Sequence, residues 1–514
     1  MSQPTAGSRE PRTHRHVPRR VEPALRAVRP SAAAPLLLVT GAAAGAFSVP
    51  RYDVRVVLIY LALLAVLAVA VARGLRRPLP RSPLTRRAGT VALLGAALLV
   101  WSVPAFTYVP GSTALVLRSV TAGGCLLAAV LVTLPYRPAT DAALAVAAAT
   151  YAATAAAALR LDPAPRIDVW YTLQGAADGL LHGADMYRQV WVGPPGPMPF
   201  FTYLPWTAVL LAPGRWLVGD VRWALVVITM GTVVTIRWLH LPLASIIDRG
   251  TPPPDRTPPT THPRPAGEPG ATGRAVPDPH GEQVSAALAA TLLLLLPGTL
   301  TQVEQAWTEP LLLGCLALTT LGLIRRNGLL AVVGLAVALA CKQHVVLLLP
   351  LFAAWPRFGG RRAAAAAALA GVLVLPWVAA DPGAMWHDTV TLLVNFPALR
   401  FADTAYVAVL NTWQVQPPFW LTGAVVLATV AAATLVVRRH NPTPAGMLRW
   451  CAVVLFAANL VNKQAFYNQY WLVAGLVLLS WAAPSAPPAG ATTDEPRQRP
   501  ARTGTTAAQA SPTR

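Results

Sequence analysis

The chain has 514 residues, 54% hydrophobic and only 12% charged, with a formal net charge of +21. In a soluble protein that charge would point to nucleic acid. Here the arginines gather in the N-terminal arm, the connecting loops and the C-terminal tail, with apolar runs of about 20 residues between them, so the pattern is that of a polytopic membrane protein with positive-inside bias.

Residues 1–30 carry Arg9, Arg12, Arg15, Arg19, Arg20, Arg26 and Arg29 ahead of any apolar stretch, and read as a disordered basic arm kept in the cytoplasm. The first apolar run is followed at once by others, which marks a retained helix and not a cleaved signal. Residues 31–160 are expected to hold five spans, at about 32–49, 54–72, 89–108, 113–134 and 142–160. The loop 73–88, with Arg73, Arg76, Arg77, Arg81, Arg86 and Arg87, belongs inside, and the short turn Pro110-Gly111 outside. Five crossings from an inside start place 161–202 outside.

That outer stretch, Leu161 to Trp206, is polar, aromatic and acidic. Within it Val169, Leu173, Ala176 and Leu180 recur at helical spacing, which predicts an amphipathic surface helix over Asp168 to Leu181, ended by Gly183. Asp168 stands at its first position. There a carboxylate can accept a proton in chemistry on a lipid-borne substrate, or simply cap the helix and favour its positive end.

Further spans are expected at 203–217, 221–239, 284–298, 307–324 and 329–355, the last long enough for two short helices broken near Lys342. With two helices there, 203–248 needs an odd number of crossings, supplied either by a third short helix at 238–248 or by an incomplete span. The Pro/Gly-rich stretch 249–283 reads as a disordered cytoplasmic linker. A span at 363–380 leads into a second outer loop, 381–416, and spans at 417–437, 447–461 and 467–482 precede a disordered cytoplasmic tail, 483–514. No internal repeat is visible, which disfavours inverted-repeat transporters. The cysteines Cys125, Cys315, Cys341 and Cys451 lie in or beside apolar segments without C-x-x-C or Cys/His spacing and read as packing residues.

The chemistry-bearing residues collect on one side. Asp162, Asp168, Asp178, Asp185, Asp381, Asp388 and Asp403 lie in the two outer loops, and Glu304 and Glu309 precede a span that ends in Arg325 and Arg326. Glu309 is either part of a site or a first-turn charge. Lys342 and Lys463 are the only lysines. Either can be a snorkelling edge residue, while Lys342, with Gln343 and His344, interrupts an apolar stretch, where an ionisable group suggests function. Asn462, Lys463, Gln464, Tyr467, Asn468, Gln469 and Tyr470 form a dense hydrogen-bonding turn, suited to sugar hydroxyls or to an interfacial aromatic belt. His182 and His387 have no partners at ligand spacing, so no metal is expected, and no dinucleotide, P-loop or hydrolase signature is present.

IDVWYTLQGAADGLLHGADMY followed by FTYLPWTAVLLAP resembles the first outer loop and next span of the GT-C polytopic glycosyltransferases, with Tyr203-Leu204-Pro205 where the pattern has Tyr-Pro-Pro. It is most similar to the actinobacterial polyprenyl-phosphomannose-dependent mannosyltransferases. AWTEPLLL, LACKQHVVLLLP and QAFYNQYWLV resemble later parts of the same superfamily, so the likeness spans about 140–482. The resemblance implies an inverting transfer from a polyprenyl-phosphate sugar to a glycan or glycolipid acceptor in the membrane's outer face, without cofactor or nucleic acid. Asp168 would be the base, and Arg166, Lys342, Arg400 or Lys463 would steady the departing phosphate. Asp185, Tyr187, Tyr203, Glu309, His344, Gln464, Tyr467, Gln469 and Tyr470 complete the substrate-binding set it suggests. The expected architecture is all-α, with about 12 to 13 transmembrane helices, residues 161–482 forming the GT-C-like module. The rival readings are a transporter or flippase using Lys342, and a non-catalytic membrane scaffold.

Overall fold

The computed structural model describes residues 33–49, 51–76, 84–136, 138–193, 195–196, 200–240 and 279–484. The expected arm 1–30, the linker up to residue 278, the possible helix beyond residue 240 and the tail beyond residue 484 lie outside the described residues. The described secondary structure is helical throughout, as the apolar, strand-poor patterning requires.

Five helices come first: α1 (Ala33–Ser48), α2 (Val54–Arg76), α3 (Arg86–Ser102), α4 (Gly111–Thr133) and α5 (Ala139–Leu161). The outer stretch contains α6 (Asp168–Leu181), and then follow α7 (Trp206–Val218), α8 (Arg222–Trp238) and α9 (Pro279–Leu295), whose first residues were expected in the linker. Next come α10 (Thr299–Glu304), α11 (Glu309–Ile324), α12 (Gly328–Cys341), a 3-10 turn (Gln343–Leu348), α13 (Leu349–Ala354) and α14 (Gly360–Ala380). The second loop holds α15 (Pro382–Trp386), a π turn (His387–Thr391), α16 (Leu392–Asn395) and α17 (Ala405–Trp413). The chain ends with α18 (Phe419–His440), α19 (Pro444–Val461) and α20 (Tyr467–Ala482).

Sequence decides where these helices start. Thr85, Asn327, Thr404 and Thr443 each accept a bond from a backbone N–H three residues on, satisfying a donor the first turn leaves open. Burial then sorts them. α20 is buried on every face except at Gln469 and forms the middle of the bundle, whereas α2, α14 and α18 turn apolar side chains such as Leu58, Val372 and Leu427 outward. A helix that is apolar all round and exposed outside belongs in lipid. Among the described residues α2, α4, α5, α14, α18 and α19 are each long and apolar enough to cross a membrane, and the chain is an all-α polytopic membrane protein.

Side-chain bonds assign the helix junctions to two ends. At one end Asp53 N–H donates to Asp403, Thr107 to Glu304, Tyr108 to the Arg166 carbonyl, Leu204 N–H to the Cys341 carbonyl and Tyr467 to the Pro297 carbonyl. At the other, Arg86 donates to the carbonyls of Leu134 and Tyr136, Arg237 pairs with Asp141, Arg325 donates to the Trp238 carbonyl, and Trp355 to that of Pro442. Helices α1 to α5, α8, α9, α11, α14, α18, α19 and α20 each run between these ends. Residues 328–354 run out and back in two short legs that meet at Lys342, the break the sequence predicts.

The odd number of crossings demanded of 203–248 has a simple source. α7 begins beside Cys341 and ends beside α6, so both its ends lie at the Asp168 end of the bundle, and α8 turns away from it by 114° and crosses alone. The incomplete span is α7.

Candidate active site around Asp168

Helix α6 is bolted to the elbow between α7 and α8. Arg215 grips Asp178 with two bonds of 2.7 and 2.9 Å, Trp216 donates to the Ala177 carbonyl, and Gln174 bridges the Gly219 carbonyl and Val221 N–H. The elbow is braced by Arg222, whose side chain is fully buried and paired with Asp220 at 2.6 Å. Its remaining donors reach the carbonyls of Asp162 and Glu304, and Asp220 also accepts from Trp170 of α6. This charged pair therefore fixes the start of α6 in place, and with it Asp168.

Asp168 is 8% exposed. Its Oδ1 accepts from Val169 N–H at 2.8 Å, so part of the capping role is real. Gly196, at φ +97°, crosses directly over the carboxylate. A Cβ there would meet Asp168 Cγ at 2.9 Å, so only glycine fits the approach. On the other side Tyr108 donates to the Arg166 carbonyl at 2.6 Å, and the Arg166 guanidinium lies 5.5 Å from the Tyr108 ring centre. Burial pushes the Tyr108 phenol up, Arg166 draws it down, and the Asp168 charge pushes it up again.

A ladder of rings leads away from Asp168. Tyr187 donates to the Tyr203 carbonyl at 2.8 Å, and Tyr187, Phe201 and Tyr203 meet edge to face. Burial raises the Tyr203 phenol well above its usual range, with Glu309 and then Asp168 adding to the shift. The charges of both carboxylates thus reach Tyr203. Lys342 Nζ lies 5.2 Å from the Tyr203 ring centre and pairs with Glu309 Oε1 at 2.5 Å, also reaching Thr308. Glu309 is fully buried, with Asn468 and His344 beside it. Because α12 stops at Cys341, its free carbonyl is caught by Leu204 N–H and Thr207. Gln343 then donates to the carbonyls of Thr202 and Thr389, joining the two outer loops. Arg188 and Asp381 join them again at 2.8 Å.

The structure therefore gathers Arg166, Asp168, Tyr203, Glu309, Lys342 and His344, with Tyr187 and Asp185 one step behind; Asp185 accepts from Tyr187 N–H. Four other predicted residues brace the second loop. Lys463 donates to the Val394 and Phe396 carbonyls, Gln464 to that of Pro397, Arg400 to Gln414, and Tyr470 to that of Asp403. Tyr467 packs on Trp307, and Gln469 Oε1 is buried without a hydrogen-bond partner among the described residues. Among the described residues no group of three or more His, Cys, Asp or Glu is placed to hold a metal ion. The sequence reading missed the Asp220–Arg222 brace, whose only signal is the charged Gly219-Asp220-Val221-Arg222 turn between two apolar helices.

Two large cavities border the bundle, and neither includes Asp168, Glu309 or Lys342. One, of about 700 Å³, lies among α1, α3, α4, α5, α9 and α10; the other, of about 590 Å³, lies among α1, α2, α19 and α20. No family model, curated protein or solved structure matches the chain.

Proposed function

We propose that the chain is a membrane glycosyltransferase, moving a sugar from a polyprenyl-phosphate donor to a hydroxyl of a cell-envelope glycan or glycolipid at the outer face. Mannose is the sugar the family resemblance implies. Both termini are then cytoplasmic, as the arginine distribution favours. The observation that carries this reading is the gathering of a nearly buried Asp168 with Tyr203 and the Lys342–Glu309 pair at one end of a polytopic bundle.

In the reaction, Asp168 takes the proton of the acceptor hydroxyl as its oxygen attacks the anomeric carbon. The bond from that carbon to the phosphate oxygen breaks, and the electron pair leaves with the phosphate, inverting the centre. Arg166 stands two residues before the base and pairs with no carboxylate among the described residues, and it suits the departing phosphate. Lys342 is already offset by Glu309, and its part is to hold the Tyr203 ring in position. The reading requires Gly196 to yield when substrate enters, since the carboxylate is almost covered.

The test is transfer from a defined polyprenyl-phosphate mannose by the purified protein in liposomes. Asp168→Asn is expected to fold normally and lose activity by about 10²- to 10⁴-fold, the range for removing a general base. A fully active Asp168→Asn protein sinks the assignment.

A second reading has one observation in its favour. Lys342 interrupts an apolar stretch with an ionisable group, as the substrate pathways of transporters do. It predicts movement of the lipid-linked sugar across liposomes without transfer, sensitive to Lys342→Gln and indifferent to Asp168→Asn.

A further inference from the structure

The 700 Å³ cavity is separate from the Asp168 group and has a composition of its own. Its walls are aliphatic, with Val100, Leu115, Leu117, Leu294 and Leu300 on four different helices and Val103 just beyond α3, yet two arginines line it as well, Arg51 and Arg118. Arg51 is exposed at the junction of α1 and α2. Arg118 is the costly one. It stands seven residues into α4, about 10 Å along a helix of mean hydropathy 2.0. An arginine at such depth costs several kcal/mol unless it finds a partner or lines a wet space. Among the described residues neither guanidinium pairs with a carboxylate, and Arg118 Nε is buried with no hydrogen-bond partner. The Trp101 ring lies 5.8 Å from the Arg118 guanidinium.

We propose that this cavity binds an amphiphile with a phosphate head, Arg118 and Arg51 taking the phosphate and the aliphatic walls taking the hydrocarbon chain. A guanidinium offers paired donors that match phosphate oxygens, and a phosphate supplies what the orphaned Arg118 Nε lacks. The volume lies within the range of small-molecule pockets, so a head and part of a chain fit. Glu304, on the same lining, donates or opposes according to its protonation. Burial lifts its carboxyl to about 7, while the bond from Thr107 and the charge of Arg222 pull it down and Asp162 pushes it up. The site does not depend on transfer at Asp168, and its test reads binding alone.

Phosphate on a hydrocarbon chain can come from a diacyl phospholipid or from an isoprenyl carrier phosphate, and the two are separated by experiment. The full-length protein is stripped of lipid in a neutral maltoside detergent and titrated with phosphatidylglycerol in one arm and a long-chain isoprenyl phosphate in the other, with binding read by native mass spectrometry. At least one arm is expected to bind, and Arg118→Gln to weaken that arm tenfold or more. Arg51→Gln, at an exposed position, is expected to weaken it severalfold without affecting the fold, and Arg118→Lys, which keeps the charge but not the paired donors, to weaken it less than Arg118→Gln does. The arm that binds and responds identifies the source. Binding in neither arm, or equal affinity in wild type, Arg118→Gln and Arg51→Gln at unchanged thermal stability, overturns the proposal. So does equal binding of an uncharged amphiphile of the same chain length.

Discussion

Among the carboxylates at the Asp168 end, Glu304 makes the clearest statement about pH. The folded chain keeps it protonated up to about pH 7, whereas a free glutamate ionises near 4.5. Between those values the folded state holds a proton the unfolded state has released, so the stabilisation is complete below the lower value and is lost as pH rises through the upper one. Asp403, lifted to about 6 by burial, acts in the same direction over a lower window. Thermal unfolding in detergent should therefore show stability falling from pH 5 to pH 8, the Glu304 share amounting to at most about 3 kcal/mol. Glu304→Gln should flatten the upper part of that slope, and an unchanged slope would remove the residue from the account. Glu304 was legible in sequence as a rim carboxylate, because it precedes an apolar run. Arg118 carries no such signal, since one arginine in a run such as LVLRSVTAGG resembles a helix-edge residue until α3 and α5 close around it.

At the scale of elements, the orientation of α6 depends on the Asp220–Arg222 pair, and the energetics there are lopsided. Both charges are buried and each is the other's main partner, with Trp170, Asp162 and Glu304 taking up the remaining hydrogen-bonding capacity. Removing one partner leaves a desolvated charge, so Asp220→Ala should cost about 3 to 5 kcal/mol. The double replacement Asp220→Leu with Arg222→Met removes both charges and should recover most of that loss. Arg215→Ala breaks a pair that is partly exposed on both sides and should cost under about 1 kcal/mol. Unfolding midpoints in one detergent rank the three, and a mild Asp220→Ala would show that the brace is dispensable. α6 itself was readable, from the spacing of Val169, Leu173, Ala176 and Leu180 through to the turn at Gly183. α7 was not, because WTAVLLAPGRWLV has the apolarity of a crossing helix. Only Arg215 and Trp216, bound to Asp178 and Ala177 of its neighbour, reveal that it stays at one end.

At the scale of the whole molecule, the parity of the crossings decides which loops can meet. Charge bias put 161–202 and 381–416 on one face and Arg438, Arg439 and His440 on the other, and this needed an odd number of crossings in a region where the hydropathy pattern shows two helices. The fold meets that demand with α8 alone, and the two loops meet through Arg188–Asp381 and through Gln343. Helix positions were legible because lipid imposes length and apolarity on each span separately. The path between them was not, because a half-buried helix along the rim and a short crossing obey the same composition. Labelling can decide the arrangement directly, since all four native cysteines are buried and give little background. Val190 and Trp413 are 85% and 67% exposed in the two loops, and Arg439 is exposed at the far end. In intact cells a membrane-impermeant maleimide should modify Val190→Cys and Trp413→Cys alike and spare Arg439→Cys until the membrane is opened. If Val190→Cys and Trp413→Cys reacted from opposite sides, the number of crossings between the loops would be odd, the assignment of α7 to the rim and α8 as a lone crossing would lose its parity support, and the Asp168 group could not be assembled from both loops.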